Sequence, residues 1–108
     1  MKVQPYFEEV YEVVRLIPMG RVTTYGAISN FLALSSARMV GRALKLSFTE
    51  ELVPAHRVVN SSGILSGRLG FPTPTMMQEL LEREGVRVEN HKVKNFKDLF
   101  WDPSEELL

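Results

Sequence analysis

Between Thr23 and Leu44 the chain reads TTYGAISNFLALSSARMVGRAL, two short helical segments, each opened by hydroxyl residues and separated by a brief turn. Helices this short are marginal in isolation, so they must pack on one another and on a further element. Thr23 or Thr24 can accept from the first free amides of the leading segment, and Ser35 or Ser36 from those of the next. Ile28, Phe31 and Leu32 then share one side of the first helix, and Val40, Ala43 and Leu44 one side of the second. Two capped helices joined by the turn ALSS are the elements of a helix-turn-helix.

The flanking segments fit around that pair. Phe7, Val10, Tyr11, Val14 and Ile17 recur at helical spacing, which predicts an amphipathic helix over residues 5–17, ended by Pro18-Met19-Gly20. Beyond Val53 the texture changes. HRVV and GILSG flank NSSG and predict two short strands around a polar turn. Pro72 and Pro74 mark a loop. Thr75 to Gln78 has capping-box spacing and opens a helix through Leu80 and Leu81, with Gly85 just past its end. VRV and VKNF predict short closing strands. The expectation is one domain over residues 1–108, mainly α with a small β element, of winged-helix type.

Composition narrows the chemistry. The chain of 108 residues contains no cysteine, which excludes disulfides, thiolate metal sites and a cysteine nucleophile. No apolar run approaches the ~20 residues that span a bilayer. The opening MKVQPYFEEV lacks the apolar core of a secretory signal, so an intracellular setting is expected. Thirteen basic residues balance thirteen acidic ones, yet residues 15–68 hold seven basic against two acidic side chains, a surplus of five positive charges. A basic middle between acidic ends suits an anionic partner on one face, although scattered basic groups also make an ordinary solvated surface.

Few residues carry reactive chemistry. His56 and His91 are the only histidines, no metal-binding spacing accompanies them, and no GxSxG or phosphate-cradling glycine motif occurs. No metal or cofactor is therefore expected. His56 could serve as a general base, but a lone histidine beside a strand is more often a hydrogen-bonded structural residue. Tyr25 stands at the start of the second helix, where amides can meet a phosphate, and is otherwise a core or capping contact. Arg38, in the first turn of the third helix, sits where the dipole disfavours a cation, so it gains most by reaching into a ligand. GRLG reads as a loop presenting Arg68. On residues alone, this is a small nucleic-acid-binding module of open target.

The segments IPMGRVTTYGAIS, ARMVGRAL and VPAHRVVNSSGILSGRLG, in that order and spacing, resemble the C-terminal domain of the O6-alkylguanine-DNA alkyltransferases from about Tyr6 to Gly85. The resemblance implies that family's mainly helical, winged-helix DNA-binding fold. In the family a cysteine between the proline and the histidine takes the alkyl group from O6 of guanine. Here Ala55 stands in that place. The chain is therefore similar to the alkyltransferase-like proteins, the branch that binds the lesion without reacting.

By the same resemblance, Tyr25 crowds the phosphate beside the lesion, and Arg38 fills the space that a flipped nucleotide leaves in the stack. Tyr25, Leu44, Ala55, Val58 and Arg68 line the lesion pocket. His56 and Glu84 are the remnant of a thiol-activating relay, left with a structural role. Arg68 stands where the reactive enzymes have tyrosine. Ser47 replaces an asparagine that ties the recognition helix to the site, and SFTEELVP is more acidic than a DNA-facing stretch should be. Many members of this branch have tryptophan at the acceptor position, so Ala55 predicts a roomier pocket that takes larger O6-alkyl groups. The implied partners are duplex DNA containing O6-alkylguanine and nucleotide excision repair proteins. The implied state is a monomer in the cytoplasm or nucleoid, or in the nucleus of a eukaryote. The competing expectation is a winged-helix transcription regulator without lesion specificity, which would not need Tyr25, Arg38 and Arg68 together.

Overall fold

A computed structural model describes residues 3–47 and 52–108. Helix α1 (Tyr6–Arg15) buries Phe7, Val10, Tyr11 and Val14, and Ile17 is buried just past its end. Helix α2 (Tyr25–Phe31) begins after Thr24, which has an extended backbone and whose side-chain oxygen accepts the Ala27 amide at 3.0 Å. Helix α3 (Ala37–Lys45) follows Ser36, which has extended cap angles but makes no side-chain cap bond. The neighbouring Ser35 hydroxyl instead meets the Met39 sulfur at 3.2 Å.

The turn between α2 and α3 closes without glycine. Ala33 takes a left-handed φ of 55°. Its amide donates to Asn30 (3.3 Å) and that of Leu34 to Ser29 (2.9 Å), the paired closure of a Schellman motif. Tyr11 then locks the pair onto α1, its buried hydroxyl donating to the Ala43 carbonyl at 2.6 Å.

HRVV and GILSG do not pair with each other. Ala55–Arg57 form a 3-10 turn, and β2 (Val58–Val59) lies parallel to β1 (Thr23–Thr24), with Thr23 opposite Val58 and Thr24 opposite Val59. Both valines are fully buried, as suits a strand covered on both faces. Val58 packs into the core formed by α1, α2, α3 and Trp101, while Val59 packs into a second cluster with Leu65, Met77, Leu81 and Val86. The polar turn survives as a local closure, in which the Asn60 side chain accepts the amides of Ser62 and Ile64, each at 2.9 Å.

Helix α4 (Met76–Arg83) starts after Thr75, but no capping box forms. Thr75 keeps near-helical angles, and its hydroxyl donates to Glu79 at 2.6 Å. The far end closes as expected: Gly85 has φ +87°, and the amides of Gly85 and Val86 return to Glu82 and Leu81, each at 3.0 Å. The closing strands are β3 (Val88–Glu89) and β4 (Lys92–Val93), an antiparallel hairpin turned at Asn90 and His91. Two short helices not expected from the sequence follow, α5 (Phe96–Leu99) and α6 (Pro103–Glu106). Arg21 holds this C-terminal segment by donating to the carbonyls of Leu99 (3.0 Å) and Phe100 (2.7 Å). Residues 48–51, most of the acidic stretch, lie outside the described residues.

Candidate functional site

Pro54, with φ −80° and ψ 67°, centres an inverse γ-turn in which the Ala55 amide donates to the Val53 carbonyl at 2.8 Å. This turn sets Ala55 in the wall of a cavity of about 290 Å³. Tyr25 comes from the first position of α2, Gly41, Leu44 and Lys45 from α3, and Ser66, Gly67 and Gly70 from the turn ahead of α4, with Phe71 and Met77 behind. Ala55 and Phe71 also border a second cavity of about 540 Å³, whose walls include His56, Arg57, Pro72, Met76 and Leu80.

Three of the five expected pocket residues meet at the first cavity, Tyr25, Leu44 and Ala55. The other two do not. Val58 is fully buried, because β2 turns it into the helical core beneath the cavity. Arg68 lies in a short 3-10 turn, Arg68–Gly70, and its guanidinium donates back to the Leu65 carbonyl at 3.1 Å. That turn lets its glycines border the cavity while the arginine side chain follows the backbone away. Arg38 is exposed in the first turn of α3, one helical turn ahead of Gly41 and Arg42 and on the same side. Ser47 does not tie α3 to the pocket. Its buried hydroxyl donates to the Leu44 carbonyl at 2.7 Å, inside its own helix end.

Behind Ala55 the charged groups form one network. The Glu84 carboxylate accepts from His56 Nε2 (2.8 Å), Arg57 Nη2 (2.7 Å), Arg57 Nε (3.0 Å) and the Gly20 amide (3.2 Å). Arg57 also reaches the Ile17 carbonyl at 2.7 Å. The end of α1, the Ala55–Arg57 turn and the end of α4 are joined at one carboxylate. Burial works against its charge, yet the hydrogen bonds from Arg57, His56 and Gly20 prevail and hold its pKa down at about 2. Burial also pushes the His56 ring below its ordinary value, more than the Glu84 carboxylate offsets. At neutral pH the ring is therefore neutral, with its proton on the nitrogen facing Glu84. Tyr25 is pushed up by burial, and Ser66 works against that rise.

His56 and Glu84, expected together, meet in one hydrogen bond, and Arg57 joins them as a third member that bonds Glu84 through both Nε and Nη2. Arg57 follows His56 in the sequence, and a buried carboxylate needs a permanent cation, which was the available signal. Gly67, Phe71 and Met77 were also not foreseen as pocket residues. No periodic or chemical pattern marks them. Among the described residues, no group of three or more His, Cys, Asp or Glu side chains is placed to hold a metal ion, and no helix is long and apolar enough to cross a membrane.

Known proteins resemble this chain in sequence and in fold. The family model for the DNA binding domain of 6-O-methylguanine DNA methyltransferase matches residues 5–86. Over 95% of its length the chain is 35% identical to Alkyltransferase-like protein 1 of Schizosaccharomyces pombe, and the match covers 100% of that protein. It is 49% identical over 61 residues to the DNA base-flipping protein of Thermus thermophilus, a match spanning 56% of this chain but 41% of that protein. The fold superposes on S. pombe Atl1 crystallised with damaged DNA containing O6-carboxymethylguanine, with a TM-score of 0.79 at 35% identity, covering 95% of this chain and 100% of the other.

Proposed function

The chain belongs to the family of the 6-O-methylguanine DNA methyltransferase DNA-binding domain, in its alkyltransferase-like branch, and from this we infer that it reads O6-alkylguanine in duplex DNA without removing the alkyl group. The observation that carries the reading is Ala55. It stands in the cavity wall beside Tyr25 and Leu44, where the reactive relatives place their thiolate, and the chain has no cysteine anywhere to replace it. A methyl side chain forms no bond to the adduct, so the complex is reversible.

The nucleotide enters the cavity by rotating out of the duplex. Tyr25, at the head of α2, presses on the backbone beside it, and exposed Arg38 on α3 enters the gap in the stack. The small Ala55 side chain in the cavity wall supports the acceptance of alkyl groups larger than methyl. We extend the reading to a monomer that marks the lesion for nucleotide excision repair proteins, in the nucleoid or nucleus. Family resemblance supports that extension.

Titration into two duplexes that differ by a single O6-methyl group, at one salt concentration, tests the reading. The expected result is tighter binding to the methylated duplex with the methyl group still on the DNA afterwards. Equal affinity for both duplexes would overturn it in favour of a general DNA-binding regulator.

A further inference from the structure

Gly67 has backbone angles of φ −91° and ψ 6°, open to any L residue. In this it differs from Gly20, Gly63 and Gly85, whose positive φ accounts for the glycine. What excludes a side chain at position 67 is a neighbour. A Cβ there would lie 2.7 Å from the hydroxyl oxygen of Tyr25. Ser66 borders the cavity beside that hydroxyl and works against the rise that burial gives the Tyr25 pKa. Tyr25, Ser66 and Gly67 all border the 290 Å³ cavity, so the tyrosine reaches from the head of α2 across the cavity and rests on the opposite rim.

We infer that Ser66 and Gly67 are positioning residues for Tyr25, one standing beside its hydroxyl and the other leaving the space that hydroxyl occupies. A ring meant to press on a DNA backbone is effective only while it does not yield. Fixing it before DNA arrives removes an ordering cost from binding. Ser66 is exposed, so its interaction with the hydroxyl competes with water and carries the smaller share. Gly67 carries the larger, because the clash it avoids is closer than van der Waals contact.

The DNA part of this inference rests on the lesion reading above, whereas the ring position can be read without DNA. The full chain is prepared as wild type, Ser66→Ala, Ser66→Thr, Gly67→Ala, Tyr25→Phe and the Tyr25→Phe/Gly67→Ala double variant. Ring-labelled tyrosine NMR of the free proteins is compared with the ratio of dissociation constants for duplexes with and without one O6-methylguanine. Gly67→Ala is expected to move the Tyr25 ring signals and reduce the ratio about tenfold. Ser66→Ala should reduce it about threefold, with Ser66→Thr restoring it. In the Tyr25→Phe background, Gly67→Ala should change the ratio no further, since the oxygen it meets is gone. Unmoved ring signals in Gly67→Ala, or an equal loss of ratio with and without the Tyr25 hydroxyl, would overturn the inference. If wild type binds both duplexes equally, the lesion reading fails and the ring signals alone decide this one.

Discussion

Replacing Glu84 by glutamine removes one charge from the network behind Ala55 while keeping the shape of the side chain. The loss follows from the donors around it. Glu84 Oε1 faces the Gly20 amide and Arg57 Nε, and Oε2 faces His56 Nε2 and Arg57 Nη2. Whichever way the amide is turned, its NH2 group points at an N–H donor, and Arg57 is left buried without its counter-charge. The side chains of Glu84 and Arg57 are only 10% and 13% exposed, and breaking such a pair costs about 3 kcal/mol or more. The depressed pKa leads to a similar figure. A carboxyl held at about 2 instead of its ordinary 4.5 corresponds to about 3 kcal/mol of stability at neutral pH.

The sign of the pH dependence follows from the same shift. Because the folded pKa of Glu84 is depressed, its contribution is complete above pH 4.5 and is lost as pH falls towards about 2. His56 acts in the same direction. Its folded pKa lies below 6.5, so beneath that pH the unfolded chain binds a proton that the folded protein resists. Wild-type stability should decline gently below pH 6.5 and steeply between 4.5 and 2. Glu84→Gln should lower Tm at pH 7 by about 12 °C and lose the steep limb. Calorimetry across pH 2.5–8 reads both. At 15 °C, where the variant remains folded, its lesion affinity should stay within about threefold of wild type, since Glu84 does not border the smaller cavity and there is no thiol to activate. A Tm change below about 3 °C, or a wild-type profile flat from pH 5 to 3, would refute the argument.

Arg38→Ala should weaken binding to the O6-methylguanine duplex by about thirtyfold, the loss of an interfacial arginine anchor, and alter stability by less than about 0.5 kcal/mol; fluorescence anisotropy and thermal melting measure the two. Ala55→Trp fills the cavity wall and should reduce affinity for an O6-benzylguanine duplex about tenfold relative to an O6-methylguanine duplex; competition titration gives the ratio. Ala33→Gly relieves the left-handed φ of 55° between α2 and α3 and should raise stability by about 0.5 kcal/mol, the strain relieved exceeding the added backbone freedom; denaturant unfolding tests the sign.

The helical part of the fold was legible because its signal is local. Phe7, Val10, Tyr11, Val14 and Ile17 lie on one face by period alone, and every one is buried. The α2–α3 pair could be read from its caps and apolar positions, although only Thr24 makes the cap bond expected of it. The β element was not legible. Two-residue strands have no period, and the partner of Val58–Val59 is Thr23–Thr24, far upstream. Turn residues around NSSG pointed to a hairpin, but fully apolar valines gain more by pairing inside the core. Val58, given to the pocket by the family resemblance, is turned into the core by that same parallel pairing. Arg68 missed the pocket for a local reason: a 3-10 turn set its direction, and residue type alone does not encode that. Helix α6 did have a signal, Asp102 followed by Pro103, and the Asp102 side chain accepts the Ser104 amide at 3.0 Å.

A pocket without a nucleophile can discriminate only by differences in free energy at equilibrium. Extruding a paired guanine costs a few kcal/mol, and less where an O6-alkyl group has already weakened the pair. Arg38 and Tyr25 stabilise only the flipped state, which an undamaged base rarely enters, so they amplify a bias that originates at the lesion. Selectivity on this reading therefore has two sources: the lower cost of unpairing the lesion, and burial of its alkyl carbons against Leu44, Ala55, Phe71 and Met77. Each buried methylene adds about 0.8 kcal/mol, close to a fourfold gain in affinity. A reactive enzyme must hold its thiolate close against the first carbon of the adduct. Ala55 lifts that constraint by leaving only a methyl group in the cavity wall, so the residue change that ends the chemistry is also the one that lets affinity grow with the size of the adduct.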